Sequence, residues 1–75
     1  MSVEKQILHN CFDKAKLNLE IGDRDKARDY LDMMIGFVAA KRSNGLQAKD
    51  EIEGVRVELW LERAWMTLEN NNLML

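Results

Sequence analysis

Residues 33–40 read MMIGFVAA, eight positions with no polar side chain in a chain of 75. A membrane span needs about 20 apolar residues, so this run cannot cross a bilayer. It must be covered by the rest of the chain or by a second molecule. A strand could occupy it, but no second β-rich run is present to pair with it. An unpaired strand leaves its backbone groups unsatisfied. The flanking residues keep helical spacing instead: Ala27, Leu31, Met34 and Val38 form one stripe, flanked by Tyr30, Ile35 and Phe37. Met33 and Ala39 lie about 120° to either side of Ala27, so the apolar arc is wider than one stripe. The run therefore predicts a central helix that neighbours cover on more than one side. Gly36 and Ala40 would let one of them come close.

There is no proline, and two of the four glycines stand in turn-like contexts, EIGDRD and KRSNGLQ. These divide the chain into three predicted helices. Helix 1 runs from about Ser2, a candidate N-cap, to Ile21. Leu8, Phe12, Ala15 and Leu19 make its stripe, widened by Ile7 and Cys11. His9 falls beside the stripe and reads as a surface histidine. Gly22 suits the left-handed residue that ends a helix, and Asp23 or Asp25 can cap the next. Helix 2 ends near Lys41 and Arg42, whose charges suit a C-terminus. Asn44, with Gln47 at the capping-box position, predicts the start of a long helix 3 that runs to about Glu69 and frays in NNNLML.

Read as one helix, residues 46–69 carry two apolar stripes. Ala48, Ile52, Val55, Leu59 and Met66 are the expected core face. Gly54, Val57, Leu61, Ala64, Trp65 and Leu68, with Trp60 at the border, form a second. A three-helix monomer has no evident use for the second stripe, unless the tail folds back over it or the wide face of helix 2 reaches it. Tryptophan is enriched at interfaces. The expectation is a self-association surface made of Gly54, Val57, Trp60, Leu61, Ala64, Trp65 and Leu68. In an antiparallel twofold pair, Trp65 would sit opposite Gly54 of the second copy.

The predicted fold is thus an all-α, small three-helix bundle, an antiparallel helical hairpin plus a long third helix, in one domain over residues 1–75. A chain of this size buries only about 60% of its unfolded surface, so oligomerisation is expected. A disulfide within the chain is excluded because Cys11 is the only cysteine, which reads as a buried small apolar residue. His9 is the only histidine, so no metal site is expected, and no cofactor site is expected either. The first 14 residues lack the apolar centre and cleavage site of a signal peptide, which with one cysteine points to the cytoplasm.

No nucleophile–base pair or phosphate-cradling glycine loop is visible, so no enzyme is expected. Net charge is −2, and the acidic excess lies from Leu46 onward, with six acidic against three basic residues. A helix–turn–helix reader of DNA would need cations where QAKDEIEGVRVE puts Asp50, Glu51 and Glu53.

The stretch AKLNLEIGDRDKARDYLDMM resembles one tetratricopeptide-type helical hairpin. Ala15 and Ala27 have the spacing of the two small packing residues of that family, Gly22–Asp23 stands at its turn and Leu31 at a large apolar position. Lys14 and Asn18 stand where the motif has a leucine and an aromatic residue. Arg24 replaces the turn aromatic, and the final proline is missing. The layout, with the phrase GD…KA…Y, also resembles the three-helix microtubule-interacting-and-trafficking domain. Both resemblances imply helical-hairpin packing and a peptide-binding role, and neither supplies site residues. The expected function is a small non-enzymatic protein–protein interaction module, an adaptor, regulator or inhibitor, that self-associates as a dimer through helix 3. Alternatives are an oligomer that sequesters a small ligand between protomers and, third, a DNA-binding regulator.

Overall fold

The helices all end in the same backbone motif, and these endings set the chain's course. The computed structural model describes residues 3–74, so the candidate cap Ser2 lies outside the described residues. Helix α1 is Val3–Glu20, α2 is Arg24–Ser43 and α3 is Val57–Asn70. After α1, Gly22 takes φ 83°. The Asp23 N–H donates to the Asn18 carbonyl at 2.8 Å and the Gly22 N–H to the Leu19 carbonyl at 3.2 Å. This is a Schellman closure, in which a left-handed residue lets two amides satisfy carbonyls that the helix leaves open. After α2, Gly45 has φ 108°, with Leu46 N–H on the Lys41 carbonyl and Gly45 N–H on the Arg42 carbonyl. After α3, Asn72 takes the same role at φ 55°, with Leu73 N–H on the Leu68 carbonyl and Asn72 N–H on the Glu69 carbonyl.

Asp23 has two roles in the first turn. It closes α1 and also caps α2, its carboxylate accepting from the Lys26 N–H at 3.1 Å. The turn is thereby short enough to lay α2 antiparallel on α1. At its far end Lys41 Nζ meets Glu4 Oε1 at 2.6 Å, and Ala15 and Ala27 are both fully buried near the turn.

The third helix begins later than the sequence predicts. Asn44 is the C-cap of α2, not the N-cap of a following helix. Residues 46–50 form a loop in which the Gln47 N–H donates to Asp50 Oδ2 at 2.8 Å. A β-hairpin follows, β1 Glu51–Ile52 against β2 Val55–Arg56, paired Glu51 to Arg56 and Ile52 to Val55. Its two turn residues, Glu53 and Gly54, have φ 51° and 76°. Positive φ at both central positions matches the right-handed twist of the flanking strands. No side chain caps α3. The Val57 N–H donates to the Asp50 carbonyl at 2.7 Å and the Glu58 N–H to the Ala48 carbonyl at 3.1 Å, so the loop supplies the acceptors that first-turn amides need. The fold is mostly helical with three helices, but the expected long third helix is the shortest, and a small two-stranded sheet stands in place of its first half.

The core forms two groups of buried side chains. Leu8, Cys11, Met34, Val38, Ile52, Val57, Trp60 and Ala64 fill the end near the β-hairpin. Ala15, Ala27, Leu31, Leu68 and Leu73 fill the end near the first turn. Helix α3 therefore runs parallel to α1 along one groove of the α1–α2 pair. Met34 and Val38 are fully buried, as the central-helix reading requires. Both α1 and α3 cover α2, as expected, but the wide apolar arc is not closed: Met33 is 57% exposed, Gly36, Ala39 and Ala40 are exposed, and among the described residues no neighbouring element comes within 4 Å of where a Gly36 Cβ would stand. Cα extents of 35 × 28 × 16 Å make the molecule a slab.

The C-terminal tail folds back. Leu73 is 6% exposed against Leu68, the apolar contact that accompanies a Schellman closure. From α2, Arg24 Nη2 donates to the Asn72 carbonyl at 2.8 Å, and Arg28 Nη1 donates to the Leu73 carbonyl.

Candidate functional site

The seven residues expected to form a partner surface do not share one. Val57, Trp60, Ala64 and Leu68 are at most 1% exposed and fill the chain's own core. Leu61 is half-buried against the same core. Gly54 occupies the tip of the β-hairpin, and only Trp65, 46% exposed, remains on the open side of α3. Of the expected core stripe, Ile52 is buried from the β-hairpin, whereas Met66 is 50% exposed. The two faces of α3 have thus exchanged roles. Trp60 is locked on three sides: its indole N–H donates to the Ile52 carbonyl at 3.1 Å, His9 meets it edge-on at 5.3 Å, and the Arg63 guanidinium lies 5.3 Å from its ring.

The exposed large apolar side chains concentrate elsewhere. Val3, Leu17 and, one residue past the helix end, Ile21, exposed by 56–70%, share one edge of α1 with Ile7 and Lys14 at helical spacing. Tyr30, Met33 and Phe37 make the facing edge of α2. Lys14 Nζ stands 5.7 Å from the centre of the Tyr30 ring, which joins the two edges into one seam. At the far end Lys41 Nζ stands 5.6 Å from the centre of the Phe37 ring. Helix α3 lies in the opposite groove, so this seam is the outer side of the helical hairpin. Lys26 adds a cation to it and Asp29 stands at its margin. Sequence periodicity registered Met33 as part of a wide arc on one helix and Ile7 as a widening of the stripe on the other. It did not join them, because the signal that does so is the pairing of α1 with α2.

The other features are modest. Burial lifts the Cys11 thiol above its ordinary pKa, opposed by the nearby Lys14 ammonium. A shallow open depression is lined by Arg42, Ser43, Gly45, Leu46, Gln47 and Ala48. Among the described residues no group of three or more histidine, cysteine or carboxylate side chains could hold a metal ion, and no helix is long and apolar enough to cross a membrane. Every buried side-chain nitrogen and oxygen among them has a hydrogen-bond partner. Set beside protein-family models, curated proteins and solved structures, the chain matches none.

Proposed function

We propose that this chain is a small non-enzymatic protein–protein interaction module that docks its partner along the outer α1–α2 seam. One observation supports the reading. Four of the large apolar side chains most open to solvent, Val3, Leu17, Ile21 and Met33, fall on one side of one helical hairpin. Scattered singly they would be ordinary surface. Gathered over half-buried Ile7, Tyr30 and Phe37, they form a contiguous apolar strip fringed by lysines, the kind of patch that marks an interaction site. A rigid pair of antiparallel helices also offers a straight groove to a helical partner, whose i, i+3 and i+7 side chains would interleave with it. The DNA-reading alternative loses ground, since the open side of α3 carries Glu58, Glu62 and Glu69 where phosphates would have to approach.

A photo-crosslinking amino acid at Met33, compared with one at exposed Lys49, tests this in the source cell. Discrete adducts from position 33 and none from position 49 are expected. Equal labelling at both positions, or none at 33, would sink the seam as the docking surface.

A further inference from the structure

We infer that the occupant of the seam is a second copy of this chain, joined head to tail through the open face of its α3. The inference rests on the seam being the docking surface. The slab has two unpartnered faces that are unlike in charge. The seam places ammonium groups over its own aromatic rings, Lys14 on Tyr30 and Lys41 on Phe37, with Lys26 alongside. Glu4 answers Lys41, and the exposed carboxylates at the margins are Asp29 on α2 and, flanking Leu17 at i−4 and i+3 on the side away from α2, Asp13 and Glu20 on α1. The open face of α3 places Glu58, Glu62 and Glu69 around two exposed apolar side chains, Trp65 and Met66. Arg56 answers Glu58 at 2.9 Å.

Charge decides the symmetry. A twofold contact sets a patch against itself. Seam against seam would bring lysines together, and α3 against α3 would bring glutamates together. Like charges across an interface are a cost, while seam against α3 pairs opposite charges and sets Trp65 and Met66 against Met33 and Leu17. One copy cannot close this contact on itself, because the body of α3 lies between its two faces. Each copy therefore offers one face of each kind. A heterologous contact of that sort builds a ring if the rotation closes and an open filament if it does not.

The test uses the full chain and two variants, each with one face blocked: Met33→Glu on the seam and Trp65→Lys on α3. Sedimentation of the unmodified chain should show mass rising with concentration, and the association should weaken as salt rises from about 0.1 M to about 0.5 M. Each variant alone should lose self-association by about tenfold or more, since a lone charge enters an apolar contact. An equal mixture should form a 1:1 dimer and stop there, because one good pair of faces survives. Both positions are about half exposed, so helical circular dichroism should be unchanged. If either variant loses helix, Leu17→Glu and Glu62→Lys replace them. Assembly that persists in one variant alone would mean a twofold contact through the intact face and would overturn head-to-tail joining. An unmodified chain that stays monomeric would overturn the second copy as occupant. Crosslinks from Met33 to a different protein would then leave the seam standing, and their absence would remove both.

Discussion

Trp60→Phe separates a core tryptophan from an interface tryptophan by magnitude. The substitution removes the indole N–H that donates to the Ile52 carbonyl at 3.1 Å, a bond with a net value of about 1 kcal/mol. It also empties roughly 40 Å³ in a site only 1% exposed, which at about 24 cal/mol per Å³ costs another ~1 kcal/mol. The sum is about 2 kcal/mol. A chain of this length has a total stability of about 4–11 kcal/mol, so the variant should stay folded. For a domain this small each kcal/mol lowers Tm by about 4–8 °C, which gives a drop of about 8–16 °C. Thermal unfolding followed at once by far-ultraviolet and near-ultraviolet circular dichroism measures it, and coincident curves would support a two-state reading. Had Trp60 been a surface anchor waiting for a partner, the change in the isolated chain would stay within about 0.5 kcal/mol. A Tm shift under about 3 °C would therefore refute the burial and the bond together.

Gly22→Ala should destabilise the chain by about 1 kcal/mol through local backbone strain at φ 83°, since no described atom beyond the two neighbouring residues lies within 4 Å of the added Cβ to add a clash or a contact; an unchanged Tm would remove the strain argument. Asn72→Gly should do the reverse, raising stability by a few tenths of a kcal/mol at φ 55°, readable in urea unfolding as a higher midpoint at constant slope. Cys11 should react with a thiol reagent at neutral pH far more slowly than a free thiol and at full speed in denaturant; equal rates would mean that it is exposed. Its raised folded pKa has a signed consequence. The stability it contributes is whole below the unfolded thiol pKa and is lost as pH climbs through the folded one, so Cys11→Ala should flatten part of the alkaline fall in Tm.

The first two helices are legible in the sequence because each has one stripe and a clear stop. Gly22 followed by Asp23 both ends α1 and starts α2: the glycine accepts the left-handed φ and the carboxylate caps the next helix. The third helix misleads because Ile52, Val55, Leu59 and Met66 keep helical spacing by coincidence. The signal against a helix was local: Ile52 and Val55 flank a two-residue turn, and β-branched residues favour strands. That turn is Glu53–Gly54 and not Asn-Gly or Asp-Gly, so it lacks the usual mark of a hairpin. With residues before Val57 removed, the expected core stripe of α3 shrinks to Leu59 and Met66. Val57, Trp60, Ala64 and Leu68 then form the only full stripe, and glutamates occupy the other side. The seam was illegible for a different reason. It belongs to no single helix and exists only once Lys14 and Tyr30 face each other across two.

The clasp on the C-terminal tail is made by guanidinium groups on backbone oxygens, and every residue type carries such an oxygen. Replacing Asn72 or Leu73 leaves the acceptors of Arg24 and Arg28 in place, even where the left-handed turn or the apolar contact suffers. Among descendants of this sequence the tail could change its chemistry without any compensating exchange at positions 24 and 28. Correlated substitution, the usual trace of a contact between residues 45 or 48 apart, would then be silent here. Arg24 would register as a fixed position with no visible partner and Arg28 only with Asp32 one turn on, 3.6 Å away, so only a structure would reveal that both hold the tail.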